Sequence, residues 1–282
     1  MPNTLDWLQA GTSLGECQTK TPLDGIDTRI LLMHALGLSR VELITQSTRQ
    51  INHAEAQTLR DLIERRFGGE PIAYLVGERE FYSLGFHVTS DVLIPRPETE
   101  LLAELALQHA PQGSRLLDMG TGSGAIAVAI AYTRRDLQVS ACDISAAAIV
   151  VAKRNATRHL PAGAMQIFES DWYSACEGQI YQTIVGNPPY IEKDDPHLLQ
   201  GDLRYEPMVA LSDQSDGLAH YRQIIGNAGT YLGANGWLLL EHGYNQVEQV
   251  QSLLRQNGFT AVQSWQDLAG IWRVSGGQKT SS

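Results

Sequence analysis

The second half of the chain alternates short apolar runs with stretches of helical periodicity, and this alternation limits the possible folds more than any other feature. Six runs rich in strand-forming residues predict β-strands, and four helical patterns lie between them. Strands that alternate with helices form a mostly parallel sheet that is covered on both faces. An α/β fold is therefore predicted for residues 99–282. The predicted strands are residues 114–118, 137–143, 164–170, 180–186, 236–241 and 259–265, and the predicted helices are residues 123–133, 145–158, 218–232 and 245–256.

Residues 1–75 follow a different pattern and predict a small helical domain. Apolar residues between positions 5 and 14 indicate a first amphipathic helix. Asn52 and Glu55 have the spacing of a capping box, which marks the start of a longer helix. No catalytic constellation is visible in this part of the chain, so we expect it to dock a protein substrate.

Residues 76–98 predict a linker that contains a short hairpin. The stretches 72–77 and 80–84 are rich in strand-forming residues, and a glycine turn signal follows them. Residues 94–98 read Ile-Pro-Arg-Pro-Glu. Because each proline fixes its φ angle, this segment is expected to be a stiff connector into the second domain.

A glycine-rich turn follows the first predicted strand and precedes a helix, which is the arrangement of a nucleotide-type ligand loop. Glycines allow a sharp turn and a close approach of the backbone to a ligand, and a helix N-terminus offers free N–H groups. The turn and the acid after the next strand, Asp143, fit a dinucleotide site or an S-adenosylmethionine site. The turn consists of Gly120, Thr121, Gly122, Ser123 and Gly124.

The fourth predicted strand ends in Asn187-Pro188-Pro189-Tyr190, which predicts a stiff loop at the carboxyl edge of the sheet. The Asn187 side-chain oxygen and the Pro188 carbonyl can converge there as two acceptors, with the Tyr190 ring beside them. Two acceptors and a ring suit a planar –NH2 group. A tight turn without chemistry is the alternative, since Asn and Pro are common turn residues.

Asp171 and Trp172 follow the third predicted strand, where a carboxylate and a ring suit an adenine. The formal net charge of −10 argues against a broad nucleic-acid surface, because such surfaces depend on Lys and Arg. Three widely separated cysteines favour neither a disulfide framework nor a zinc site. The N-terminus lacks the pattern of a signal peptide, and no apolar run reaches the length of a membrane span, so a cytoplasmic protein is expected.

Taken together, these motifs resemble the HemK/PrmC family, whose members methylate the side-chain amide of a glutamine in class I peptide chain release factors. The resemblance covers nearly the whole chain. Its segments are residues 71–82, the connector 94–100, the glycine loop 118–124, the Asn187 loop, residues 201–207 and residues 239–243. The connector favours the release-factor branch over a ribosomal-protein glutamine methyltransferase.

The resemblance implies a Rossmann-like class I S-adenosylmethionine-dependent methyltransferase domain with no metal, and S-adenosylhomocysteine as the product. It implies that residues 120–124, Asp143, Trp172 and Asn187 bind the methyl donor, and that residues 187–190 hold the substrate glutamine. Release factors are the implied partners, and a monomer is expected. Adenine-N6 methylation of nucleic acid and a non-enzymatic binding module are the alternatives.

The C-terminal residues 276–282 are predicted to be a frayed tail. Within them, Gly276-Gly277-Gln278 repeats the Gly-Gly-Gln tripeptide that the resembled family methylates in its substrates. The repeat is either a coincidence in a disordered segment, or it is weakly self-methylated or competes for the active site.

Overall fold

The computed structural model describes residues 5–280 and divides into two compact units, Met1–Glu78 and Arg79–Ser282. The division falls inside the segment 76–98 that was predicted to be a linker. Each unit has its own apolar core. No helix among the described residues is long and apolar enough to cross a bilayer.

The first unit contains five helices within its described residues, and side-chain caps set where several of them begin. Asn52 Oδ1 accepts a hydrogen bond from the Glu55 N–H at 3.0 Å, while the Asn52 N–H donates to Glu55 Oε2 at 2.8 Å. This capping box confirms the predicted helix start, because both bonds satisfy N–H groups that a helix end leaves free. The helices are α1 (Leu14–Lys20), α2 (Gly25–Leu36), α3 (Arg40–Thr45), α4 (His53–Phe67) and α5 (Ile72–Val76).

Two predictions for this part of the chain are wrong. Residues 5–12 form turns instead of a helix, and the first helix begins only after Ser13, whose side chain caps it. The stretch 72–77, predicted as a strand, forms α5. Gly77 ends α5 in a left-handed conformation with φ +72°. Leu75 of α5 is buried in the core of the first unit, and Ile72 and Val76 pack against that core. Packing decides the structure here, since short apolar runs are ambiguous between helix and strand.

The second unit begins with a hairpin and continues into a seven-stranded sheet in the order β5-β4-β3-β6-β7-β9-β8. All neighbouring pairs are parallel except those of β9, which runs antiparallel to β7 and β8. The predicted α/β fold is confirmed. The strands are β1 (Glu78–Phe81) and β2 (Leu84–His87) in the hairpin, and β3 (Arg115–Met119), β4 (Gln138–Asp143), β5 (Met165–Glu169), β6 (Tyr181–Gly186), β7 (Leu232–Glu241), β8 (Thr260–Gln266) and β9 (Trp272–Gln278) in the sheet.

Helices cover both faces of this sheet and bury its central strands. Leu116 of β3 packs into a core with α6 and α7, and the next residue, Leu117, packs into a second core with α10 and α11. Alternate residues of a strand face opposite sides, so both sides of β3 must be apolar. The helices are α6 (Glu100–His109), α7 (Ala125–Thr133), α8 (Ala146–His159), α9 (Met208–Leu211), α10 (Ala219–Tyr231) and α11 (Val247–Gln256), with 3-10 turns at Pro97–Thr99, Pro196–Leu199 and Gly201–Tyr205.

The prediction of a frayed tail is wrong for residues 276–278, because Gly276-Gly277-Gln278 lies inside β9 between β7 and β8. The last two residues of the predicted tail, 281–282, lie outside the described residues. A Cβ atom on Gly276 would lie 2.6 Å from Leu239 Cδ2 and 2.7 Å from the Leu238 carbonyl oxygen. The two glycines therefore let β9 pack closely against its neighbours. A segment that is paired on both sides is not an extended peptide of the kind that self-methylation would need.

Replacing Gly276 by alanine should destabilise the second unit, because the added methyl group overpacks the contact with β7. We expect Gly276→Ala to lower the free energy of unfolding by about 1–3 kcal/mol. Urea unfolding of the purified variant measures this change. Gly229→Ala is the matched control, since a Cβ atom on this exposed helical glycine meets nothing within 4 Å. The control should stabilise the chain by about 0.5–1 kcal/mol, and equal stability of Gly276→Ala and the native chain would contradict the assigned role.

Candidate active site

Three parallel strands end at the same edge of the sheet and bring the predicted site residues together. The last residue of β3, Met119, is paired with Cys142 of β4 on one side and with Gly186 of β6 on the other. From β3 the chain continues outward to β4 and β5, whereas β6 and β7 lie on the opposite side. Open α/β sheets bind ligands at such a reversal of strand order, outside the carboxyl ends.

A cavity opens at this edge, and many of the predicted residues line it. Its wall also includes parts of the chain that no motif had indicated. The predicted residues on the wall are Gly120, Gly122, Asp143, Asp171, Trp172, Asn187 and Pro189.

The glycine loop takes a conformation that side chains would disturb. Gly120, Gly122 and Gly124 all have positive φ angles, of +67°, +55° and +81°. A Cβ atom on Gly124 would lie 3.2 Å from the Ala152 backbone, so this glycine permits close packing of the loop on α8. A Cβ atom on Gly122 would meet nothing within 4 Å, and its backbone faces the cavity. The loop therefore presents main chain, not side chains, to a ligand.

The structure does not bring Thr121, Ser123 or Gly124 to the cavity wall. Thr121 Oγ1 instead donates a hydrogen bond to Asp118 Oδ2 at 2.6 Å, and its N–H donates to the Cys142 carbonyl at 3.0 Å. The Ser123 carbonyl accepts a bond from Asn155 Nδ2 at 2.8 Å. These residues shape the loop from behind, and a direct contact with the methyl donor stays a prediction.

Two carboxyl groups lie below the glycine loop, Asp143 half-buried and Asp118 fully buried. Asp143 Oδ2 accepts a hydrogen bond from the Gly122 N–H at 2.8 Å, and its Oδ1 accepts one from the Ser145 N–H at 2.9 Å. Burial raises the pKa of Asp143, while these backbone N–H groups lower it. Asp118 is buried more deeply, and loss of water raises its pKa to about 7 although the Thr121 hydroxyl lowers it. Asp143 thus links the glycine loop to the segment that follows β4, and its carboxylate has further lone pairs that a ligand can use.

Trp172 takes an unusual backbone conformation to reach the cavity. Its φ is +48°, and its carbonyl accepts a hydrogen bond from Ser170 Oγ at 2.9 Å. A Cβ atom on Gly120 would lie 3.6 Å from Trp172 Cζ3, so the ring lies against the glycine loop. The centroid of the His220 ring lies 5.1 Å from that of the Trp172 ring, with the two ring planes tilted by 58°. Left-handed backbone in a bulky residue is costly and is found mainly at functional sites.

The Asn187 loop leaves β6 at a tightly packed glycine. A Cβ atom on Gly186 would lie 3.2 Å from the Met119 carbonyl oxygen. Asn187 and Pro189 then lie on the cavity wall, and within the described part of the chain the Pro188 carbonyl accepts no hydrogen bond. Tyr190 is not on the wall. Its ring packs against the second core, where burial is the main cause of its raised pKa, so contact between this ring and substrate stays a prediction.

A glutamine far along the chain holds the end of this loop. Gln246 Nε2 donates hydrogen bonds to the Tyr190 carbonyl at 3.0 Å and to the Gly217 carbonyl at 3.1 Å. Its Oε1 accepts a bond from the Gly243 N–H at 3.0 Å. A Cβ atom on Gly217 would lie 2.6 Å from the Tyr190 carbonyl oxygen, so only glycine fits beside the Gln246 hydrogen bonds.

Comparison with known proteins places the chain in a family. A family model described as the PrmC N-terminal domain matches residues 6–77, and a model described as the methyltransferase small domain matches residues 97–200. A release factor glutamine methyltransferase of Burkholderia pseudomallei is 51% identical over 265 residues, which cover 92% of this chain and 93% of the relative. The chain belongs to the release factor glutamine methyltransferase family.

Further relatives agree with this assignment. A family member from Bordetella pertussis is 48% identical over 90% of this chain and 95% of its own length. A methyltransferase structure from Pyrococcus furiosus matches with a TM-score of 0.54 and 17% identity, over 77% of this chain and 97% of that chain, and this likeness shows the fold alone. The family resemblance drawn from the motifs is confirmed. Membership in the release factor glutamine methyltransferase family favours neither the dinucleotide interpretation of the glycine loop nor adenine methylation.

Part of the cavity wall was not indicated by any sequence pattern. This part includes residues 91–93, Val209, Ala210 and His220. Residues 91–93 come just before the proline-rich connector, and the connector was the only signal that pointed near them. Burial lowers the pKa of His220, so its ring favours the neutral form beside Trp172. Among the described residues, no group of three or more His, Cys, Asp or Glu side chains could hold a metal ion.

Replacing Asp143 should weaken binding of the methyl donor, because this carboxylate holds the Gly122 N–H and adjoins the cavity. We expect Asp143→Ala to weaken S-adenosylhomocysteine binding by roughly 1.5–3 kcal/mol, the usual contribution of hydrogen bonds to a charged group. Isothermal titration calorimetry measures the affinity. Asp136→Ala removes an exposed carboxylate just before β4, the strand that Asp143 ends, and should leave the affinity unchanged. Native affinity in Asp143→Ala would remove this residue from the donor site.

Proposed function

We propose that this chain transfers a methyl group from S-adenosylmethionine to the side-chain amide nitrogen, N5, of the glutamine in the Gly-Gly-Gln motif of class I release factors, and so acts on translation termination. One observation supports this most directly. In a member of the release factor glutamine methyltransferase family, the Asn187 side chain lines the same cavity as Gly122, Asp143 and Trp172. An amide-binding loop and a donor-binding loop therefore share one cavity.

The residues on the wall fit the proposed donor. Gly120 and Gly122 leave main chain open to the cavity, Asp143 has lone pairs beside it, and Asp171 and Trp172 offer a carboxylate and a ring for an adenine. Thr121, Ser123 and Gly124 would contribute by holding the loop in shape. When bound, S-adenosylmethionine supplies a methyl group on a sulfonium and leaves as S-adenosylhomocysteine.

The Asn187 loop supplies what a poor nucleophile needs. The lone pair of an amide nitrogen is delocalised into its carbonyl, so orientation must do much of the catalysis, and orientation contributes up to about 7–11 kcal/mol. Asn187 Oδ1 and the Pro188 carbonyl would accept the two amide hydrogens and turn the nitrogen toward the donor, with Pro189 and Tyr190 holding the loop. A glutamate side chain would meet two acceptors without a hydrogen to offer, so it would be rejected.

The helical unit Met1–Glu78 is the proposed docking unit for the release factor. It has an apolar patch on α3, where Val41 and Ile44 are 68% and 64% exposed. We propose that residues 79–98 link the helical unit to the methyltransferase domain. Because the substrate is a translation factor, the cytoplasm is the proposed location, and a monomer is the proposed state.

Removing the Asn187 side chain should lower turnover strongly and leave donor binding nearly intact. Asn187→Ala loses one acceptor aimed at the reacting nitrogen, a change of about 10²–10³ in kcat by analogy with losing one oxyanion-hole donor. Methylation of release factor at saturating donor measures kcat, and calorimetry measures donor affinity. Asn227→Ala, on the exposed face of α10, is the control and should behave like the native enzyme. Native turnover in Asn187→Ala would refute the proposed function.

Loss of the apolar patch on α3 should affect only the intact protein substrate. We expect the double variant Val41→Ser/Ile44→Ser to raise KM for release factor by about tenfold, because two exposed apolar side chains no longer bury surface on binding. The kcat for a short Gly-Gly-Gln peptide should not change, and this peptide is the internal control. An unchanged KM for release factor would show that docking takes place elsewhere.

A further inference from the structure

A buried glutamate lies next to Asn187 and has no part in the function proposed above. Glu241 is the last residue of β7 and is 3% exposed. The parallel register pairs Gly186 of β6 with Leu240 of β7. Asn187 directly follows Gly186, and Glu241 directly follows Leu240, so the two residues come at the same level of neighbouring strands and on the same face. The pairing of the strands places this carboxyl behind the amide-binding loop.

The carboxyl of Glu241 is poorly satisfied for a buried group. Its Oε2 atom has no hydrogen-bond partner in the described part of the chain, and neither has the nearby Thr99 Oγ1. Burial is the main influence on its pKa, and the Thr99 side chain, the positive charge of Arg273 and the Asn187 side chain act against it by lowering the pKa. Burial outweighs them and raises the pKa to about 7. A buried carboxyl without a full set of partners is costly and therefore points to a role beyond packing.

We propose that Glu241 is a positioning residue, whose carboxylate accepts a hydrogen from Asn187 Nδ2 and so holds Asn187 Oδ1 toward the cavity. This inference rests on the proposed function, in which Asn187 Oδ1 accepts a hydrogen from the substrate amide.

An asparagine needs such a partner because the two ends of its amide have nearly the same shape. Only one orientation offers an acceptor to the substrate, whereas the flipped orientation offers a second donor to an –NH2 group. An ionised carboxylate only accepts hydrogen bonds, so it pairs with Nδ2 and disfavours the flipped orientation. Its negative charge also polarises the amide and makes Oδ1 a stronger acceptor. A protonated carboxyl lacks both effects, since its O–H can donate to Oδ1.

The proposal sets the sign of a pH dependence. The productive state is the ionised one, so kcat should rise as the pH rises through about 7. Other groups around the carboxyl do not give the same profile. The charged groups that face it are Arg273 and Glu98, and Arg96 faces the adjacent Tyr190. Burial raises the pKa values of Tyr190 and Tyr221 above their usual range and lowers the pKa of His242.

The test is Glu241→Gln in the full-length enzyme, assayed with release factor from pH 6 to pH 8. Glutamine has the shape of the protonated glutamate, so the variant should fold, and an unchanged unfolding temperature at pH 6 verifies this. We expect kcat at pH 8 to fall about tenfold or more, the loss of one hydrogen bond to a charged group. The KM for each substrate should stay within about twofold of the native value. The rise of kcat between pH 6 and pH 8 should become clearly smaller, and the part that remains belongs to Asp118, whose pKa burial also raises to about 7. Glu177→Gln, at an exposed glutamate, is the matched control.

A second pair of variants distinguishes positioning from a general structural role. If Glu241 acts through Asn187, then adding Glu241→Gln to Asn187→Ala should lower kcat no further. An equal loss in both backgrounds would overturn the proposal, as would native kcat and a native pH profile in Glu241→Gln alone. The two levels of inference fail differently. Native turnover in Asn187→Ala refutes the proposed function, whereas a strong loss there with a fully active Glu241→Gln refutes only the positioning role.

Discussion

The parallel pairing of β6 between β3 and β7 is the constraint on which the site depends. The register sets Met119, Gly186 and Leu240 side by side, so the segments that follow these strands begin at one edge. Parallel ladders bury both faces of a strand, and the central strands β3 and β6 are accordingly mostly apolar. The packing of the sheet thus fixes where the strands end. The glycine loop and the Asn187 loop, which follow neighbouring strands, therefore line one cavity.

Buried polar contacts then set the shape of each loop. Asp143 accepts hydrogen bonds from the N–H groups of Gly122 and Ser145. The Thr121 hydroxyl donates to Asp118, and the Gln246 side chain donates to the Tyr190 carbonyl. Each contact satisfies a group that would otherwise be buried without a partner, which costs more than an ordinary hydrogen bond contributes. Gly186 has a different task, since it removes the side chain that would meet the neighbouring strand. Loops built in this way are rigid before a ligand arrives, and rigidity is what orientation-based catalysis requires.

The sequence predicted the parts of the molecule that local patterns determine. Alternating periodicity is sufficient for the parallel sheet, and residues that follow neighbouring strands must meet at one edge, so Gly122, Asp143 and Asn187 could be placed together. Gln246 and His220 could not, because their roles depend on which side chains meet across the fold. The same reason explains the tail error. Gly276 lies in a chain end that is polar and rich in glycine, yet this end pairs with β7 and β8, and at Gly276 and Gly277 the neighbouring atoms leave no room for a Cβ atom.

The polar groups of the Asn187 loop and the carboxyl next to it match the change in charge during the proposed reaction. Transfer of a methyl group to an amide nitrogen moves positive charge onto that nitrogen, so groups that point hydrogens at it would oppose the reaction. In the proposed function the loop would present Asn187 Oδ1 and the Pro188 carbonyl, both of them acceptors, and the Glu241 carboxyl, which neighbours Asn187, is buried. Electrostatic stabilisation is strongest where water is excluded and the dipoles are fixed in advance. A buried acid behind an amide therefore suits a developing cation, whereas a buried base in the same place would not.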